Sequence, residues 1–418
     1  MKTKCKHVDI RNPDNLIPAI KDVVFRHCAR FDFRNLLFRF GLSQSDYMLY
    51  LLSRDKEILE EAIHNIAEEC AKRIVQRDLK LRPVEIRIKS DKSTGKIRQI
   101  GKESAMQQCF DYIAFYSAKE IFDKRIVPEQ ASSIPGRGQI YGKNIINNWI
   151  LKDLDSMRYS EAHKTRYQRK CKYHVKSDVI KCYPSAKLDK FMVLFEKDCG
   201  NDDVTWLWYS LLKSHQVGDY HGFMIGSLVS QWACQYMISF AYRHIKSLHY
   251  ERRGRKYKYV EHMLVFMDDM LMTGSNRKYL KAAIRELNSY MKDVLGFDLK
   301  DNWQIHDIDQ DPIDMMGYLL YPDGHVEIRG RDFIKARRLA LRYKSQGDFL
   351  TMRQCKRILS YKGFFDHSDS RYVRRKYDLD EIFEYAAKKI SVEERRQNGK
   401  NGCEKLIKTG SGGGFSGT

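Results

Sequence analysis

The chain has 418 residues, with 75 Lys+Arg against 54 Asp+Glu, a formal net charge of +21 and a sequence pI of about 9.4. With 43% hydrophobic and 12% aromatic residues it has enough apolar material for real cores, which excludes a disordered or collagen-like chain, and its length suggests two or three packed units. A positive surplus of this size gathers polyanions, so nucleic acid is the expected partner.

A membrane is not expected, because there is no long unbroken apolar run and no basic-then-apolar leader at Met1-Lys2-Thr3-Lys4-Cys5. The ten cysteines are scattered without a CxxC pair or a tight His–Cys cluster. That argues against a zinc module and for reduced thiols in a cytoplasmic setting.

In chain order, Asp55 to Gln76 carries apolar residues at helical spacing, from Ile58 and Leu59 to Cys70 and Ile74. Pro83 to Lys89 alternates, breaks over residues 90–95 and resumes at Lys96 to Ile100, which predicts a basic hairpin. A long helix is expected from Ser104 to about Arg125, then a loop over Ser132 to Gln139 with two glycines around Arg137.

Tyr173 to Ile180 reads as a strand, Ala186 to Phe195 as a helix, and Met224 to His244 as a longer helix. Met263 to Met272 has two apolar arms around Asp268-Asp269, the pattern of a hairpin. Residues 277–294 are helical in pattern, and Asp314 to Arg329 predicts a hairpin turning at Pro322-Asp323-Gly324. From Arg331 onward the chain is helical and dense in Arg and Lys, and it ends in a Gly/Ser-rich tail.

An Asp-Asp pair by itself is more often an ordinary turn. Here the pair lies between apolar arms, where two adjacent negative charges are unfavourable unless cations neutralise them. A third acid in a similar setting, Asp178, stands 90 residues before Asp268. Three carboxylates gathered by neighbouring strands suit two Mg²⁺ ions and nucleotidyl transfer.

Five segments in register resemble the motifs of reverse transcriptases. Phe266-Met267-Asp268-Asp269 resembles their aromatic-x-Asp-Asp box, and Asp178 to Tyr183 their first palm motif. Ile225-Gly226-Ser227-Leu228-Val229-Ser230-Gln231 resembles the Ile-Gly-x-x-x-Ser-Gln element of bacterial enzymes from diversity-generating retroelements and abortive-infection or defence systems. Leu299 to Ile305 with Asp314 to Tyr318, and Ile134 to Gln139, are similar to flanking segments of the same group. The segment before Ile225 lacks the proline often found there, and Asn302-Trp303 differs from the lysine-bearing form of many intron enzymes.

The resemblance implies an α+β right-hand polymerase: an N-terminal helical extension over 1–79, fingers and an antiparallel-sheet palm over 80–330, a helical basic thumb over 331–396, and the tail over 397–418. It implies Asp178 and Asp268 as metal ligands with the Val179 carbonyl, Asp269 as an electrostatic support, and two Mg²⁺ ions for which Mn²⁺ can substitute. Tyr183 matches the steric gate against a ribose 2′-OH, for which the alternative is a core tyrosine. Lys89 and Arg98 match the residues that grip the triphosphate, with an ordinary solvated hairpin as the equal alternative.

Gly226 and Gln231 would line the nucleotide site, Lys300 would be a general acid unless it is a surface lysine, and Arg137, Ser230, Met316, Gly317 and Tyr318 would meet primer or template. The implied partners are a cognate RNA template, a DNA or RNA primer and dNTPs, in a retroelement or phage-defence role. Two alternatives remain: an idle RNA-binding protein of polymerase shape, and a template-independent or protein-primed DNA polymerase.

Overall fold

In a computed structural model, residues 3–90, 95, 97–346 and 349–393 are described. The expected tail over 397–418 and most of the turn over 90–95 lie outside them. The fold is α+β with antiparallel sheets, the class expected from the sequence.

The chain forms two compact units, and each is discontinuous. The first comprises Met1–Gly138 and Tyr173–Ile305, the second Gln139–Lys172 and His306–Thr418. The span expected as fingers and palm therefore contributes to both, because the chain leaves the first unit at Gly138 and rejoins it at Tyr173.

In the first unit, strands β1 (Glu85–Ser90) and β2 (Ile97–Lys102) make the basic hairpin. Strand β3 (Tyr173–Asp178) is followed by the ribbon β4 (His249–Arg252) and β5 (Arg255–Lys258), and by the hairpin β6 (His262–Phe266) and β7 (Asp269–Gly274). The central sheet has the order β6-β7-β3, with a short fourth strand, β8 (Ile305–Asp307), opening at Ile305. Its apolar residues are buried, among them Val175, Met263, Val265, Met270 and Met272.

The helix expected from Asp55 to Gln76 runs over Glu60–Val75 after a short turn, with its apolar stripe buried. The single helix expected from Ser104 to Arg125 is two, Ala105–Ser117 and Lys119–Arg125. They break at Ala118, which is fully buried and leaves helical backbone geometry (φ −104°, ψ 6°). The N-terminal helices share one apolar core with the sheet, from Cys5 through Trp208 and Tyr236 to Ile305. Arg125 and Tyr236 both bond to the buried Asp198 carboxylate inside that core, so the charge is paired rather than stranded.

In the second unit, β9 (Ile313–Met315), β10 (Tyr318–Leu320) and β11 (Val326–Ile328) form a three-stranded sheet. The one hairpin expected there becomes two turns. A tight turn at Met316-Gly317 joins β9 to β10, and Pro322-Asp323-Gly324 joins β10 to β11. The helices Gly330–Lys344 and Met352–Asp366 bury Leu339, Tyr343, Ile358 and Phe365. Leu341, on the first of these helices, is exposed. A last helix reaches residue 393.

Candidate active site

The site grows from one register. Asp178, the last residue of β3, stands opposite Asp269, the first of β7, and the two-residue turn Met267-Asp268 closes the β6–β7 hairpin. Because paired residues in an antiparallel ladder project to the same face, Asp178 and Asp269 share one side of the sheet. The Val179 N–H donates to the Asp268 carbonyl at 3.0 Å, which clamps the turn onto the end of β3. Met267 holds a left-handed backbone with φ 57° and is half exposed. A non-glycine residue in that region marks local strain, held here by the bonds around it.

The three acids surround an ammonium group. The Ile180 N–H donates to the Asp298 carbonyl at 2.8 Å and the Lys300 N–H to the Asp178 carbonyl at 2.9 Å. These bonds lay residues 298–300 beside β3 and place Lys300 Nζ on Asp178 Oδ2. The bond to Asp178 raises the Lys300 pKa, and the charges of Asp178, Asp268 and Asp269 add to it. Lys176 Nζ lies 3.9 Å from Asp269 Oδ2. Burial raises the Asp268 pKa, and the neighbouring Asp178 pushes it the same way. Among the described residues no group of three or more His, Cys, Asp and Glu side chains is gathered as a metal cage. The acids are compensated by lysines instead.

Tyr183 sits on the short helix Cys182–Ser185, five residues past Asp178, packed against the core. Burial raises its phenol pKa, with a further contribution from the Asp268 charge. The Phe223 N–H donates to the Tyr183 carbonyl at 2.8 Å. Gly222 lies so close to Pro184 that a β-carbon would overlap its backbone carbonyl.

Gly226 adopts φ 107°, and a β-carbon there would stand 3.0 Å from the Gly101 carbonyl. The absent side chain lets Gly101 N–H reach the Ile225 carbonyl at 2.9 Å, so the base of the β1–β2 hairpin is tied to this segment. On that hairpin Lys89 and Arg98 are register partners, both exposed, and project to the same face.

The other expected residues divide. Gln231, on the helix Leu228–Ser247, donates its amide to the Ser133 carbonyl, and the nearby Gln235 reaches Ser132 Oγ at 3.3 Å. Ser132 Oγ in turn accepts the Met267 N–H, so this helix supports the Met267-Asp268 turn through the 130–133 loop. Arg137 donates to the Val127 and Gln130 carbonyls at 2.6 and 3.2 Å, holding the same loop. Ser230, expected at primer or template, is fully buried, with its hydroxyl 3.2 Å from His215 Nδ1. Met316, Gly317 and Tyr318 belong to the second unit, where Met316 and Tyr318 are buried and Tyr318 packs against Phe364.

Sequence reading missed a buried polar cluster beneath the hairpin base. Glu103 Oε1 lies 2.9 Å from His215 Nε2, whose other nitrogen faces Ser230, and Ser227 Oγ donates to Asp111 Oδ2 at 3.1 Å. Asp111 is fully buried, and burial followed by the nearby Glu103 charge raises its pKa well above the carboxylate range. The hint in the sequence was two polar residues, Asp111 and Ser230, within the helices Ala105–Ser117 and Leu228–Ser247, and their partners are distant in the chain.

No family model matches this chain, and no curated protein does. Among solved structures it is similar to apo telomerase from Candida tropicalis, at 12% identity over 90% of this chain and 82% of that one, with a TM-score of 0.39. It is also similar to telomerase from the same organism in complex with a TWJ fragment of telomeric RNA, at 11% identity over 91% and 69%, with a TM-score of 0.44. A third similar structure is the apo telomerase truncated from its C-terminal domain, at 11% identity over 78% and 83%, with a TM-score of 0.39.

Proposed function

We propose that this chain is an RNA-directed DNA polymerase with a reverse-transcriptase-like right-hand fold. The observation that carries the reading is the meeting of Asp178 and Asp268, 90 residues apart in sequence, at adjacent strand ends. Burial raises the Asp268 pKa and the neighbouring Asp178 charge adds to it, a cost of ionisation that a divalent cation would relieve. Asp178 and Asp268, with the Val179 carbonyl, are the residues that would hold Mg²⁺, completed by substrate phosphates. When bound, the ions supply activation of a primer 3′-hydroxyl and stabilisation of departing pyrophosphate.

The chain's own groups do the rest. Lys89 and Arg98 offer an ammonium and a guanidinium fork from one face of a hairpin to the triphosphate. Tyr183 places a bulky ring beside Asp268, where it excludes a 2′-OH and selects dNTPs. Lys300 Nζ, already on Asp178, holds a proton within the site and is suited to deliver it to the leaving group. Asp269 contributes charge. The implied partners are an RNA template and a DNA or RNA primer, in a retroelement or defence system.

Primer extension on an RNA template with Mg²⁺ and either dNTPs or NTPs tests this. Incorporation of dNTPs that disappears in the Asp178→Ala and Asp268→Ala chains is expected. Incorporation that survives both would sink the site assignment. Absence of synthesis under any priming condition would leave an RNA-binding protein of polymerase shape.

A further inference from the structure

The β4–β5 ribbon is a charged surface that the polymerase chemistry does not use. Residues 251–258 are all exposed. Its register sets two like charges opposite one another, Arg252 against Arg255, and places His249 against Lys258, while Glu251, its only acid, faces Lys256. Like charges directly across a ladder are destabilising unless an anion sits between them. The tip is Arg253-Gly254, both with positive φ, and Arg253 adds a further exposed guanidinium there.

The same register puts Tyr250, Arg252, Arg255 and Tyr257 on one face of the ribbon. Tyr279, on the helix Arg277–Tyr290, stacks on Tyr250 with centroids 3.6 Å apart, and Tyr250 stacks on Tyr257 at 5.2 Å. This aromatic column anchors the ribbon to the body and ends at Tyr257, which is 37% exposed and adjoins the two arginines. An open tyrosine face beside paired guanidinium groups suits unpaired bases and their phosphates.

The Tyr259 N–H donates to the Leu248 carbonyl at 3.1 Å and closes the base of the ribbon, from which the chain runs directly into the His262 end of β6, whereas the Met267-Asp268 turn follows Phe266 at the other end. At about 3.3 Å per residue the strand separates the two by roughly 17 Å.

We propose that the β4–β5 ribbon is a second RNA contact, which holds an unpaired segment outside the polymerase site. The proposal goes beyond the polymerase reading and is read by binding, not by turnover. The test uses the full chain saturated with a primer–template duplex, to which a labelled polyuridine dodecamer is added at rising salt. The dodecamer is expected to bind without displacing the duplex, and Arg252→Gln with Arg255→Gln, or Tyr257→Ala alone, weakens it about tenfold. In the arginine variant the salt dependence of that binding also flattens, while primer extension on a short saturating duplex is unchanged.

Equal affinity in all chains, or full competition between dodecamer and duplex, would overturn the proposal. So would vesicles of phosphatidylserine binding through these arginines while the dodecamer ignores them. If the duplex itself fails to bind, the polymerase reading fails, and the dodecamer compared across the same variants still decides this one.

Discussion

Asp268 carries two opposed demands. Its folded-state pKa is raised, so stability is lost as pH climbs from the ordinary carboxylate range through the raised value, and at neutral pH the folded chain bears that cost. Asp268→Asn removes the charge while keeping the shape. Its melting temperature at neutral pH is expected to rise by a few degrees, and nucleotide incorporation to fall by about a thousandfold. A melting temperature that drops would mean that the Asp178 and Asp268 charges are not in conflict. At Tyr183 the ring adjoins Asp268. Tyr183→Val should leave dNTP incorporation largely intact while discrimination against NTPs weakens by about a hundredfold, measured by competing the two substrates.

Among the elements, the hairpin β1–β2 and the segment leading into the Leu228–Ser247 helix are joined by the backbone bond from Gly101 to Ile225 and by the Glu103–His215–Ser230 contacts. Asp111 beside them has a strongly raised pKa, so the folded state keeps a proton that the unfolded chain releases. Stability should therefore fall as pH rises above the carboxylate range, and Asp111→Asn should flatten that fall in melts taken from the carboxylate range upward. A variant that follows the parent's pH profile would remove Asp111 as its source. Gly222→Ala forces the Pro184 backbone aside and with it Tyr183, so about 1–3 kcal/mol of stability should be lost and the KM for dNTP should rise.

For the whole molecule, charge and connectivity decide behaviour. The net charge of +21 predicts nucleic-acid affinity that falls steeply with salt. Part of the helical basic segment is already paired, Arg374 with Asp366 and Asp380 and Lys344 with Asp378, while Arg338, Arg342, Arg353, Arg357 and Arg371 are exposed. The exposed set is the one expected to govern the salt slope for a primer–template duplex. A chain ending at Ile305 would keep the Gln139–Ala162 helix but lose its partners, such as Gly324 against Leu151 and the His367 carbonyl bonded to Lys143. Such a chain should aggregate, as measured by light scattering during purification.

Local pattern was enough for the strands and their acids. The apolar arms around Asp268-Asp269 pair as a hairpin, and the strand expected over Tyr173 to Ile180 forms over Tyr173–Asp178, because side-chain period and turn chemistry act over a few residues. Local pattern was not enough for contacts between distant segments. Lys300 reaches Asp178 through a backbone pairing, Ser230 turns inward to His215, and Gln231 supports the Met267 turn through the 130–133 loop. The break at Ala118 and the two-unit division depend on which surfaces find one another. Periodicity says which face of an element is apolar, but the partner that covers it, and the polar groups trapped between, are settled only when the chain closes on itself.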